Sequence, residues 1–210
     1  MNRGELRTAA LANLMIPTNE SQLVSIINQE LNAAVNAYLQ IVISNYKNKL
    51  AGFEEIGNFV PALIAQDTIV TTSGTSDYAL NSDVREVLSV LLNGKKVGLI
   101  DITEDYLELY RPADFPVNEW VTARRYGEKL ILSPTQEDGL VIDYRYIKEP
   151  TEMTADGNIP EVPPEHQYRL YNYACYMAAK IGVQPISGLA PEYFMDLFNS
   201  GIRIEPDESE

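Results

Sequence analysis

The feature that most constrains the fold is a double change in the spacing of apolar residues along the chain. Apolar residues recur every three or four positions up to residue 49, at every second position between residues 68 and 148, and every three or four positions again from residue 164. The first spacing is typical of amphipathic helices and the second of half-buried strands. Because helices and strands are grouped rather than alternating, the order argues against a doubly wound parallel sheet and predicts an α+β fold.

Two helices are predicted before the strands. The first covers residues 5–15, where the apolar residues share one face, and Pro17 ends it. Thr18 or Asn19 caps the second helix, which runs over residues 20–49 and would be about 45 Å long. Such a length fits either an ordinary helix of a bundle or a helix arranged around a ring. Its apolar positions are Leu23, Ile27, Leu31, Ala34, Tyr38 and Val42.

Two more helices are predicted after the strands. One begins near Pro164 and ends at Gly182, and a short helix over residues 191–199 is closed by Gly201. The first of these carries a stripe of mostly small residues, which allows another helix to approach closely. We therefore expect it to pack on the long helix, so that the terminal helices form an antiparallel bundle. The stripe consists of Leu170, Ala174, Ala178 and Ile181.

Two hairpins are predicted in the strand region, which should form an inserted antiparallel sheet or sandwich. Asn93-Gly94 separates the segments 87–92 and 95–100, and this dipeptide provides the two positive φ angles of a type I′ turn. The second hairpin covers residues 120–133, with its turn at Tyr126-Gly127.

The remaining segments of this region are less regular. Residues 68–72 are β-branched and predict a strand, with Tyr78-Ala79-Leu80 pairing back on it. Residues 53–60 are predicted to be a loop or a broken helix, and residues 103–110 a short helix. The last strand covers residues 139–148. Its alternation places on one face Leu140, Ile142, Tyr144 and Tyr146.

These elements predict four parts of the chain. Residues 1–60 form the N-terminal helices of the bundle, and residues 61–150 the inserted β region. Residues 151–201 form the C-terminal helices. Residues 202–210 are an acidic tail without a core-building pattern.

Composition limits the classes of function. Sixteen basic against 30 acidic residues give a net charge of −14, which argues against sequence-specific binding of nucleic acid but allows DNA to slide past an acidic wall. Cys175 is the only cysteine, so an intrachain disulfide is excluded and a reducing cytoplasm fits. We expect no signal peptide and no membrane span, because no apolar run approaches about 18 residues.

A search for catalytic or metal-binding residues yields no site. His166, the only histidine, lies in the first turn of a predicted helix, where a solvated or capping role is expected. Cys175 is expected to be a buried, inert thiol. The acidic pairs Glu54-Glu55, Glu104-Asp105 and Asp207-Glu208 are interpreted as solvated, since the whole chain is acidic. We therefore predict no enzyme activity, no cofactor and no metal site.

Two groups of residues are candidates for protein contacts. Basic residues on or beside the last predicted strands form either ordinary solvent-exposed charge or a patch for an acidic neighbouring subunit; they are Arg124, Arg125, Lys129, Arg145 and Lys148. The acidic tail is either a solubilising end or a segment that orders on a partner. Its candidate interface residues are Ile202, Arg203, Ile204, Glu205, Asp207 and Glu208.

The order of these elements resembles that of the head–tail adaptor proteins of tailed bacteriophages. The most specific stretch is a strand ending in Lys148-Glu149-Pro150, a polar loop to Pro160, and a proline-flanked start to an Ala/Tyr-rich helix over residues 168–180. This chain departs from a simple leucine-proline start by having Val162-Pro163-Pro164. Further shared segments are Gly4-Glu5-Leu6-Arg7, Leu31-Asn32-Ala33-Ala34 and Tyr78-Ala79-Leu80.

The resemblance implies a structural virion protein without catalytic residues. It implies a homo-oligomeric ring, expected to be a dodecamer, that docks on the portal protein, contacts tail or neck proteins and continues the channel for double-stranded DNA. The expected locations are the head–tail junction of the virion and, during assembly, the host cytoplasm. Two alternatives stay open: a metal-dependent hydrolase that uses the acidic clusters, and a cellular assembly or binding module.

Overall fold

The computed structural model describes residues 1–15, 21–48, 53–99, 121–182 and 188–202. The chain divides into two compact units. The helical unit combines Met1–Leu63 with Pro150–Glu210, and the β unit is Ile64–Glu149. The predicted α+β class with antiparallel sheets is confirmed. Within the described ranges, no helix combines the length and apolar character that a membrane span requires.

The described residues of the helical unit form five α-helices. An Asn2–Glu5 capping box begins α1, because the Asn2 side chain accepts from the Glu5 N–H and the Glu5 carboxylate accepts from the Asn2 N–H. The segment predicted to be a loop or a broken helix forms the short helix α3. The helices are α1 (Arg3–Leu14), α2 (Ser21–Lys47), α3 (Phe53–Phe59), α4 (Gln167–Lys180) and α5 (Pro191–Asn199).

Helix α4 occupies the centre of this unit, since it packs against α1, α2 and α5. The predicted stripe is fully buried at Leu170, Ala174 and Ala178. Ile181 does not belong to it and is 57% exposed, because α4 ends at Lys180 and Gly182, with φ of 96°, turns the chain away. The contact between α2 and α4 that the small residues predicted is present.

In the part of the β unit that the structure describes, the strands form two four-stranded sheets. Their strand orders are β1-β8-β3-β4 and β2-β7-β6-β5, called here the first and second sheets. The strands are β1 (Ile64–Val70), β2 (Asp77–Ala79), β3 (Val84–Leu92), β4 (Lys95–Lys96), β5 (Gly98–Leu99), β6 (Thr122–Tyr126), β7 (Lys129–Ser133) and β8 (Val141–Lys148).

Both sheets contribute to one apolar cluster, so each buries one face within the β unit. From β8 the cluster takes Ile142, Tyr144 and Tyr146, the alternating face predicted from the sequence. From β7 it takes Leu130 and Leu132. Strand alternation therefore decides which side chains of this unit face the core and which face outward.

Local sequence signals predicted the hairpins better than the longer-range pairings. The Asn93-Gly94 turn is present with φ of 48° and 75°, but its second strand, β4, has only two residues. The strand β2 pairs with β7 and not with β1, because the preceding turn carries the chain into the second sheet. The second hairpin turns at Gly127-Glu128, since Tyr126 pairs with Lys129.

One short pair departs from the antiparallel pattern, because β5 lies parallel to β6 over two residues. Several predictions fall outside the described residues and are left as predictions. These are the cap at Thr18 or Asn19 and the helix over residues 103–110.

Replacing Gly94 by alanine should lower the free energy of unfolding by about 1 kcal/mol, because an L-residue at positive φ is strained although the added Cβ meets nothing within 4 Å. The matched control is Gly157→Ala, where space is equally open and no positive φ is imposed. Urea unfolding of both variants measures the difference. Equal stability of the two variants would contradict the turn assignment.

Candidate interaction surfaces

The only histidine of the chain is part of the packing of the helical unit. His166 ends a 3-10 turn over Pro164–His166, and its ring lies beside the rings of Tyr38 and Phe59, with centroids 5.7 and 5.5 Å away. Its Nδ1 is 2.5 Å from the Tyr38 hydroxyl, which donates to the Phe59 carbonyl at 3.1 Å. Burial, with a smaller effect of Arg169, lowers the pKa of His166. His166 occupies the N-cap position of α4 and is half-exposed, but its side chain makes no cap hydrogen bond and packs against the two rings instead.

The only cysteine is also structural. Cys175 is fully buried on α4, and its Sγ donates a weak hydrogen bond to the Ala10 carbonyl at 3.5 Å. Burial raises the pKa of this thiol to about 12, so that it stays protonated and unreactive at neutral pH. Within the part of the chain that the structure describes, no three His, Cys, Asp or Glu side chains come together as metal ligands. The three acidic pairs lie outside the described side chains.

The basic residues predicted as one patch are divided between faces. Because neighbours on a strand point in opposite directions, Arg124 and Arg125 of β6 lie on opposite sides of the second sheet. Arg125 is opposite the buried Leu130 and donates to backbone carbonyls of Arg85 and of Val84, the latter at 2.8 Å. Arg125 thus tethers the second sheet to β3 of the first sheet and is not an outward contact residue.

Arg145 and Lys148 belong to β8 of the first sheet, whereas Arg124 and Lys129 belong to the second. The exposed Arg145 places its Nε 3.4 Å from the Gln66 side-chain oxygen. The five residues therefore do not form one continuous basic patch. Strand periodicity could have separated Arg124 from Arg125, but only the strand order shows that β8 and β6 lie in different sheets.

A smaller surface remains on the outer side of the second sheet. Arg124 and Tyr126 share this side, and Lys129 stands opposite Tyr126 in the register. Tyr126 is 72% exposed, and Lys129 lies 3.4 Å from Asp77 of β2. Arginine and tyrosine are enriched in protein interfaces. We call Asp77, Arg124, Tyr126 and Lys129 the β6–β7 face; sequence reasoning treated Tyr126 only as a turn residue.

A carboxylate between two arginines fixes the segment that follows the β unit. Asp156 accepts two hydrogen bonds from Arg7, at 2.7 and 2.8 Å, and one from Arg3 at 3.0 Å. The N–H of Gly4 donates to the Asp156 carbonyl, and a Cβ at Gly4 would lie 3.3 Å from the Asp156 Cβ. Hydrogen bonds from Arg7 and Arg3 lower the pKa of Asp156 to about 2. Sequence reasoning missed this site, because no local pattern links residues so far apart.

Next to this segment, Ile159 is 68% exposed. The backbone just before it is fixed, since the Asn158 carbonyl accepts from the Arg3 N–H at 2.8 Å. The loop therefore exposes the apolar side chain of Ile159 next to a hydrogen-bonded backbone position.

The first residue of the predicted acidic tail lies in the core of the helical unit. Ile202 is fully buried, and its carbonyl accepts a hydrogen bond from the buried Asn45 at 2.6 Å. Ile202 is therefore a core residue of the helical unit and cannot seat in a partner. The other tail candidates, residues 203–210, lie outside the described part.

Asp156→Asn should make the protein less stable at neutral pH and less sensitive to acid. The folded pKa of about 2 lies below the ordinary 3.8, so this carboxylate stabilises the fold above about pH 3.8 and the effect is lost as pH falls to about 2. Urea unfolding between pH 2 and 7 measures both effects. Glu152→Gln, a charge removal in the same segment, is the control; an unchanged acid dependence in Asp156→Asn would refute the role.

His166→Gln should remove a loss of stability that the wild type shows as pH falls below about 6.5. Because burial and Arg169 lower the folded pKa of His166, the unfolded chain binds the proton more readily. The contribution of this residue to the free energy of unfolding is therefore fully present above pH 6.5 and decreases below it. The nearby Glu165 opposes this shift only in part. Tyr38→Phe keeps the titrating ring and is the control. The prediction would be contradicted if the free energy of unfolding had the same slope against pH, between pH 7 and 5.5, in the wild type and in His166→Gln.

Comparison with known proteins agrees with the resemblance noted from the sequence. The model of one protein family, described as the SU10 adaptor protein, matches residues 1–210. No curated protein matches the chain. The match covers both the helical unit and the β unit, so it does not depend on one motif. The chain belongs to the SU10 adaptor protein family, a family of phage head–tail adaptors.

Proposed function

We propose that this chain is the subunit of a ring that docks on the portal protein and continues the DNA channel toward the tail. The observation that carries the proposal is the family match over the whole chain. In this role the protein is structural and not an enzyme. It enters the virion at the head–tail junction after assembly in the host cytoplasm, and it meets tail or neck proteins on the side away from the portal.

In this proposal the helical unit and the β unit have different roles. The helices form the antiparallel bundle that builds the body of each subunit, and the β unit is an insertion that carries contacts to neighbours. A twelvefold ring is the expected form. Identical subunits close such a ring when one surface of each copy meets a different surface of the next.

The β6–β7 face is the surface we assign to a neighbouring copy. Tyr126 supplies a large exposed ring, and Arg124 and Lys129 flank it on the same side of the sheet. Residues 151–210 contain ten acidic and three basic residues, so acidic groups are abundant on the rest of the chain. Arg145, on the other sheet, makes a separate contact in this proposal, whereas Arg125 is held inside the β unit.

The net charge of −14 suits a channel through which double-stranded DNA passes without sequence-specific binding. A protein that grips DNA neutralises phosphates with lysine and arginine. An acidic ring instead repels the phosphate backbone, and this repulsion favours passage over retention.

Residues 203–210 are the segment we assign to the portal. Four of these eight residues are acidic, and Ile204 is the one apolar side chain left after Ile202 is assigned to the core. Because Asn45 holds the Ile202 carbonyl, the segment starts from a fixed point on the helical unit. Ile204, next to Arg203, would enter a shallow apolar groove of the portal. Glu205, Asp207 and Glu208 would contact basic residues at the rim of that groove.

A chain that ends after Ile202 should fold normally but dock on purified portal rings at least about tenfold more weakly, as expected from losing one apolar anchor and its charge pairs. Sedimentation and electron microscopy of portal–adaptor mixtures measure docking. A full-length variant with Glu205, Asp207, Glu208 and Glu210 replaced by their amides separates the contribution of charge.

The same mixtures test the contact between copies. Tyr126→Ser should reduce ring closure and leave the fold intact, with Tyr168→Ser, at another exposed tyrosine, as the control.

Undiminished docking by the chain that ends after Ile202 would refute the portal contact. Failure of the wild-type chain to dock at all would refute the proposed function.

A further inference from the structure

The strand β1 is the longest open edge in the described part of the β unit. It has seven residues and pairs only with β8, whereas β4, at the other edge of the first sheet, has two residues. An open edge presents unpaired N–H and C=O groups to which a strand of another chain can bind. For a protein that assembles in many copies, such an edge is a route to wrong association.

The geometry of β1 shows which of its backbone groups face outward. Thr71, just after the strand, donates to the Leu140 carbonyl and accepts from the Gly139 N–H, so its groups point toward the β8 side. Backbone groups alternate along a strand. Those of Ile69, two residues earlier, therefore also face β8, and the N–H groups of Gln66, Thr68 and Val70 face away from the sheet. Thr68 lies at the centre of this outward row.

The outward N–H of Thr68 already has an acceptor. It donates to Oδ1 of Asp67 at 2.8 Å. The other oxygen of this carboxylate accepts from the Asn81 amide at 2.6 Å and lies 3.5 Å from the Tyr144 hydroxyl. Asn81 lies in the connection between β2 and β3 and Tyr144 belongs to β8, so the Asp67 carboxylate has partners in two different segments of the β unit.

From these contacts we propose that Asp67 closes the centre of β1 to strand addition. A strand that approaches this edge must displace the Asp67 carboxylate from Thr68 and then lies against a negative charge. Displacement leaves that charge with fewer hydrogen bonds, which raises the free energy of the paired state. Contacts between copies in the β unit therefore use faces and hairpin turns and avoid the edge of β1.

Amide hydrogen exchange of the wild-type protein tests the hydrogen bond directly. The Thr68 amide should exchange roughly tenfold more slowly than those of Gln66 and Val70, the effect expected of one net hydrogen bond. The amides of those two residues face the same open side of β1 as the Thr68 amide. Equal exchange of all three amides would overturn the proposal, and this test needs no variant to fold.

Sedimentation of Asp67→Ala tests the consequence of the hydrogen bond. This variant should exchange its Thr68 amide as fast as its neighbours and self-associate at concentrations where the wild type does not. Adding Thr68→Pro to it removes the N–H and should restore the wild-type state. Asp138→Ala removes an exposed carboxylate of the β unit outside the β6–β7 face; it is the matched control and should change neither property. Wild-type sedimentation of Asp67→Ala, in the absence of portal, would overturn the proposal while leaving the proposed function untouched.

Discussion

The helical unit depends on one carboxylate that joins two distant parts of the chain. Asp156 meets Arg7 across 149 positions of sequence, because the whole β unit is inserted between them. The contact places the loop at the N-terminus of α1, where free N–H groups need acceptors, and the loop carbonyls of Asp156 and Asn158 supply two of them. Close by, Asn32 pairs with both the N–H and the carbonyl of Met153. The segment that follows the β unit is thus anchored on both α1 and α2.

Strand alternation has the corresponding role in the β unit. It sends Tyr144 and Tyr146 into the core while their hydroxyls reach polar partners at its rim, where Asp67, Asn81 and Asp83 lie. Burial, the largest cause, raises the pKa of Tyr144, so its hydroxyl stays a neutral donor there. The same alternation leaves the β6–β7 face outward and turns Arg125 inward. The inward tether Arg125 and the outward Tyr126 thereby lie on adjacent residues of β6.

The functional assignment and the geometry have different sources. Membership of the adaptor family comes from the match of the whole chain, whereas the candidate contact surfaces come from exposure and register. Both groups that could have suggested chemistry have structural roles, since the half-buried His166 packs beside two rings and Cys175 is a buried thiol. Their pKa values are shifted mainly by burial, which structural packing also produces, so a shifted pKa is not by itself a sign of catalysis.

The sequence by itself determined the features that depend on neighbouring residues. Apolar spacing predicted α1, α2 and α4, the bounding Pro191 and Gly201 predicted α5, and Asn93-Gly94 predicted its turn, because helix periodicity, helix ends and positive φ are local properties. Tertiary structure alone decided that β2 pairs with β7, that the basic residues divide between two sheets, and that Ile202 is buried beside Asn45. It also decided the contact of Asp156 with two arginines. These contacts join residues far apart in the chain, and their energies depend on how the packed elements meet, which no local pattern encodes.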